Sequence, residues 1–235
     1  MLLVLACSGV AAPLCGNNAG LDMYIANYAG FANACQIGDK LFYDFGYSAS
    51  STPVGNQPSA SETSVIPDPG DGITNPGLVF SVGGFLVFPG ETMDATITYS
   101  VATLSGSALM QGYSLTMAGS HTAANTGGLG FGSVTESFTN APTGSPLITS
   151  VGPGATGVFV ANVNFLPLVS GTTVTTKIHL ESPNSGPVDR VTISAIQEHF
   201  SEAVSTVPEP YQAFGIGSSL LFFGLLRKRK IFNNS

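Results

Sequence analysis

The side chains able to do chemistry in this chain of 235 residues are few: His121, His179 and His199, three cysteines, and fourteen acids against seven Lys and Arg. Zinc sites need four tetrahedral ligands, usually carried as C-x-x-C pairs or as two His flanking a Glu on one helix turn. No such spacing occurs here, neither HExxH nor Glu-x-x-His. A serine-nucleophile elbow, a Walker loop and a GxGxxG turn after a strand are also missing. His179 and Glu181 share one strand face and Glu198 adjoins His199, a pattern typical of polar residues facing water. A carboxylate pair for glycoside hydrolysis would have to be assembled from distant strands. These residues predict a protein that is not an enzyme and that uses no metal or cofactor.

The cysteines are all early, at Cys7, Cys15 and Cys35. If Cys7 belongs to a removed leader, Cys15 and Cys35 remain as an even pair, either joined in an oxidising compartment or left as two thiols. Asp68-Pro-Gly-Asp71-Gly resembles a calcium loop only locally. Calcium takes six or more oxygens at defined spacing, so a plain turn is expected there.

Charged residues make up 9% of the chain and apolar residues 43%, with 29 Gly and 15 Pro. That is too apolar for disorder and too rich in turn formers for a helical protein. Four of the seven cations are consecutive, Arg227, Lys228, Arg229 and Lys230. The rest of the chain holds three cations against all fourteen acids, a net charge of -11 over residues 1–226. Nucleic acid is therefore excluded as a partner of the body, since phosphate recognition depends on Lys and Arg.

The elements read mainly as short strands. Leu21, Tyr24, Ile25, Tyr28 and Phe31 recur at spacings of three and four, predicting one short helix over 21–31. Leu41, Tyr43, Phe45 and Tyr47 alternate with Phe42, Asp44 and Gly46, predicting a first strand with an aromatic face. Residues 49–76 read as a long connection with at most a short edge strand at Val65 and Ile66. Strands follow at 78–88, with Gly83-Gly84 marking a bulge or bend, and at 93–104, 111–118, 129–138, 147–151, 157–166, 172–181 and 189–196. In the second of these Ala95, Ile97, Tyr99 and Val101 face one way and Thr96, Thr98 and Ser100 the other. The spacing predicts an all-β fold, an antiparallel β-sandwich or jelly roll, over residues 13–200. A linker is expected over 201–207.

The two ends read as targeting segments. Residues 1–12, MLLVLACSGVAA, resemble the later half of a signal peptide, with the natural start expected upstream. Residues 211–226 are sixteen positions without a charge. As a helix they rise about 24 Å, slightly short of a hydrocarbon core of about 30 Å. With Arg227 to Lys230 kept in the cytoplasm, this predicts one C-terminal transmembrane helix with the body outside.

Pro208, Glu209 and Pro210, the apolar run with Gly215, Gly217 and Gly224, and the basic cluster together resemble the PEP-CTERM sorting signal of Gram-negative envelope proteins. The resemblance covers residues 208–230. It implies that an exosortase recognises Pro208-Glu209-Pro210 and treats 211–226 as a transient inner-membrane span. It further implies that Arg227 to Lys230 act as a stop signal and that the body passes to the cell surface or matrix, where such proteins accompany exopolysaccharide and biofilm. The segment 35–47 is also similar to the early part of secreted members of this group. The expected role is structural or adhesive. The alternatives are a carbohydrate-binding module using exposed aromatics near Tyr43, Tyr47 or Tyr113 and, less favoured, a secreted hydrolase.

Overall fold

The computed structural model describes residues 11–70, 75–122, 129–139, 147–153, 155–183 and 189–203. The expected signal peptide up to residue 10, the expected sorting motif Pro208-Glu209-Pro210, the expected span 211–226 and the basic cluster Arg227 to Lys230 lie outside the described residues. Among the described residues no helix is long and apolar enough to cross a membrane.

After a two-residue strand β1 (Ala19–Gly20), helix α1 (Leu21–Asn27) buries Leu21 and Tyr24, one turn apart, and carries Asp22 in its first turn, where the helix dipole favours an anion. It stops at Asn27, short of the expected 31, because Gly30 takes φ 74° and redirects the chain into a 3-10 turn, Phe31–Asn33. Strands β2 (Cys35–Ile37), β3 (Lys40–Thr52), β4 (Thr63–Asp68), β5 (Gly77–Val87), β6 (Glu91–Thr103), β7 (Met110–Thr122), β8 (Phe131–Phe138), β9 (Leu147–Val151), β10 (Thr156–Val169), β11 (Gly171–Ser182) and β12 (Arg190–Glu202) follow. All the strand pairs are antiparallel.

Two six-stranded sheets form, ordered β1-β4-β5-β12-β7-β10 and β2-β3-β6-β11-β8-β9. From β5 onward the chain winds as a jelly roll, the alternative to a plain sandwich that the strand count left open. The alternation read in the sequence explains the packing between the sheets. Met93, Ala95, Ile97, Tyr99 and Val101 of β6, Val174, Ile178 and Leu180 of β11, and Leu115 and Met117 of β7 all point into one core. Each large apolar side chain removed from water there contributes roughly 1.5–3 kcal/mol before chain entropy is charged against it. In β5 the glycines do mark an irregularity. Phe85 faces Ile193 and Ser81 faces Ala195, so residues 82–84 are opposed by Ser194 alone.

β12 runs on through Ser201 and Glu202, where a linker was expected. The reason is Lys40. Its side chain is wholly buried, with Nζ 2.5 Å from both Asp39 Oδ1 and Glu202 Oε1, so the last residue of β12 neutralises the first of β3. Cys15 and Cys35 are joined by a disulfide with Cα atoms 4.7 Å apart, which fastens the segment before α1 to β2. The main chain reinforces that link, with the Cys15 amide donating to the Gln36 carbonyl at 3.1 Å.

Candidate functional site

The outward face of the second sheet is built from the residues that alternate with the core positions. Register places Ser48, Thr96, Lys177 and Thr135 in one row across four strands, Thr98, Thr175 and Ser137 in the next, and Tyr43, Ser100 and Thr173 in a third. Strands lie about 4.8 Å apart, so the hydroxyls form a regular lattice in which Lys177 is the one cation of these three rows. Ser100 Oγ and Thr173 Oγ1 are 3.0 Å apart and join two strands of it. Further polar and charged groups lie in the row beyond Lys177, where His179 Nδ1 is 2.8 Å from Asp94 Oδ1 and its Nε2 is 3.7 Å from Glu181 Oε2. The shared face of His179 and Glu181 is thus present, as an exposed polar cluster.

An aromatic pair closes the third row. Phe31, 58% exposed, meets Tyr43 edge-on with ring centroids 5.3 Å apart. The expected aromatic face of β3 does not form as a single face, because the strand carries an extra residue at Asp44. Asp44 has φ 55°, and the pairing with β6 slips between Tyr43 and Gly46. Its amide donates to the Tyr28 carbonyl at 2.8 Å, and its Oδ1 accepts from the Gly30 amide at 2.6 Å. The bulge turns Phe45 and Tyr47 inward beside Phe42 and leaves Tyr43 outside. Burial, then the neighbouring Asp44 charge, raise the Tyr43 phenol, while the Ser100 hydroxyl acts the other way.

Of the three tyrosines considered for sugar stacking, only Tyr43 is therefore in place. Tyr47 is half-buried and donates to the Pro58 carbonyl at 2.7 Å, and burial pushes it up to about 12. Tyr113 is buried against Phe138 and Phe200, with centroids 4.8 and 5.0 Å away. Phe31 is the residue that sequence reasoning missed. Its position depends on the helix ending early, and Gly30 was the available signal.

A second concavity lies where β3 leaves for β4. It is an open cleft of about 470 Å³ lined by Gly55, Asn56, Gln57, Pro58, Glu62, Gly83 and Gly84. Its polar groups are largely engaged with one another: Gln57 Oε1 accepts from Ser51 and the Gly55 amide, and Asn56 Nδ2 donates to Glu91 Oε1 at 2.8 Å.

Glu198 is not the water-facing neighbour of His199 that adjacency suggested. In β12 it points inward and is fully buried, opposite an equally buried Glu136 from β8. The Thr176 hydroxyl is 3.3 Å from Glu136 Oε1 and 3.0 Å from Glu198 Oε1, and the Tyr99 hydroxyl donates to Glu198 Oε2. Burial, and then the Glu198 charge, hold Glu136 well above the usual carboxylate range; burial raises Glu198 as well. Among the described residues, Tyr113 Oη and Glu136 Oε2 have no hydrogen-bond partner of acceptable geometry, although both are buried. The two carboxyls sit between the sheets, and both side chains are fully buried. Among the described residues no group of three or more His, Cys, Asp and Glu is placed to hold a metal ion.

No family model matches the sequence, and no curated protein matches it. Solved structures give distant fold-level similarity. An arabinose-bound GH51 α-L-arabinofuranosidase aligns at 15% identity over 82% of this chain and 27% of that one, with a TM-score of 0.24. The xylan-binding module CBM15 aligns at 11% over 75% of this chain and 97% of the module, TM-score 0.27. A family 6 carbohydrate-binding module aligns at 18% over 66% and 94%, TM-score 0.23. This chain thus spans about a quarter of the arabinofuranosidase. At such scores the likeness has no bearing on function.

Proposed function

We propose that this chain is an exported envelope or matrix protein, sorted by an exosortase through Pro208-Glu209-Pro210, whose β-sandwich meets extracellular polysaccharide through the outward face of its second sheet. The observation that carries the second half is the Phe31–Tyr43 pair continuing into rows of Ser and Thr hydroxyls. Exposed aromatic rings offer an apolar face to sugar C–H groups, and hydroxyl rows donate to and accept from sugar hydroxyls at less desolvation cost than charged groups. The acidic body favours a neutral polysaccharide over an anionic one. The Cys15–Cys35 disulfide supports export, since such bonds persist in oxidising compartments. The role is binding or structural; the acid pair Glu136–Glu198 is fully buried among the described residues, which argues against its use in glycoside hydrolysis.

Two measurements test this. Intact mass of the mature protein in its own host, with and without the processing enzyme, should show loss of the segment containing Phe214 to Lys230 only when the enzyme is present. Retention of that segment in the normal host would leave a simple tail anchor. A polysaccharide panel should show binding that falls at least tenfold in Tyr43→Ala and Phe31→Ala and is unchanged in Tyr47→Phe. Binding indifferent to Tyr43 and Phe31 would remove this face from the reading.

A further inference from the structure

We propose that the free edge of β10 is a self-association surface, through which two copies of this chain pair β10 against β10, antiparallel, about a two-fold axis. Each sheet of an open sandwich ends in two edge strands, and an edge exposes unpaired N–H and C=O groups that can template another strand. Among the described residues three of the four terminal strands are short, β1 with 2 residues, β2 with 3 and β9 with 5, and the stretch of β3 that β2 leaves unpaired is interrupted by the bulge at Asp44. The fourth, β10, has 14.

β10 pairs with β7 in unbroken register from Thr156 to Asn164, opposite Ser120 to Gly112, and among the described residues no strand pairs with its other side. The usual protections are missing along that stretch. Residues 156–169 include no Asp, Glu, Lys or Arg, and Pro167 lies beyond the regular register. Val158 and Val160 are 66% and 59% exposed, and Leu166 adds another exposed apolar side chain. On the inner side, Phe159 and Val163 pack against the core yet stay only partly buried, whereas Leu115 and Met117 of the adjoining β7 are sealed. The core is thus incompletely covered along this edge.

The same features select a second copy as the occupant. Antiparallel pairing of identical strands is self-complementary under a two-fold axis, so one surface serves both partners. The body outside this edge is strongly acidic, so two copies repel least where they meet through an uncharged strand. A basic partner would find no carboxylate on the strand to pair with. Pairing would join two six-stranded sheets into one continuous sheet and complete the burial of Phe159 and Val163.

The full chain purified in mild detergent is expected to sediment as a dimer, and the double variant Val158→Lys, Val160→Lys as a monomer with an unchanged far-ultraviolet spectrum. Val158→Thr with Val160→Thr, which keeps the strand uncharged, should remain dimeric. A monomeric wild type at every accessible concentration overturns the proposal, as does a folded lysine variant that stays dimeric through its tail or another surface. Should the lysine variant fail to fold, single cysteines at Val158, Val160 and Asn162 give an independent reading under mild oxidation. At least one forms a cross-linked dimer if the edges pair, and none does if they do not.

Discussion

Glu136 and Glu198 approach each other from different sheets and share one hydroxyl, that of Thr176, deep between them. Two ionised carboxylates so placed repel each other and lack water, and the buried Lys40 is committed to Asp39 and Glu202. The arrangement is stable with at least one proton retained. Four groups then make one unit: the two acids, Tyr99 donating to Glu198, and Tyr113 buried beside Glu136.

This fixes the sign of a pH dependence. The folded acids titrate above the ordinary value of 4.5, so above that pH the folded state binds more protons than the unfolded chain. Stability is fully present below about pH 4.5 as far as this pair is concerned, and declines as pH rises through the folded titration. Thermal melting from pH 5 to pH 9 should show that decline. In Glu136→Gln the slope flattens and the melting temperature at the alkaline end exceeds that of the wild type. A wild type whose stability rises steadily over the same range would show that the pair stays ionised.

Lys40 is expected to be the most sensitive charged residue. Lys40→Ala leaves Asp39 and Glu202 facing each other with no cation, and loss of one partner from a buried ion pair typically costs about 3–5 kcal/mol. Urea denaturation measures this directly. Substitution of the exposed Lys177, which lies among hydroxyls, is expected to change stability by less than about 0.5 kcal/mol.

The Cys15–Cys35 disulfide closes a separation of 20 residues. A loop of that size gives roughly 3 kcal/mol in the chain-entropy model. The double variant Cys15→Ser, Cys35→Ser should therefore shift the urea midpoint downward, and reductant should move the wild type to the same midpoint. Because the bridge anchors the segment next to α1, the Phe31–Tyr43 pair is expected to loosen before the sandwich melts.

Strand positions were legible in the sequence wherever apolar and hydroxyl residues alternated, as in Met93 to Val101 and Val174 to Leu180, because a half-buried sheet imposes that period of two. Three features were hidden for physical reasons. The extra residue at Asp44 reverses the faces of β3 and costs a single left-handed φ, which an aspartate tolerates and an alternation count does not reveal. Glu198 reads as a surface residue because its burial depends on Glu136 and Tyr99, both distant in sequence. Phe31 joins Tyr43 only through the turn at Gly30. In each case the decisive contact is tertiary, and the residue types alone favour the opposite assignment.

The strand order also bears on how the molecule is made. β12 sits between β5 and β7, so the last of the described strands to leave the ribosome is an interior strand of its sheet. Until it arrives, β5 and β7 have no partner between them, Glu136 has no counterpart, and Lys40 lacks Glu202. Closure of the sandwich therefore waits for the complete body, and contacts between such distant segments make that step slow. A chain halted before residue 190 has two unsatisfied interior edges, which makes the nascent form far more prone to aggregation than the finished one.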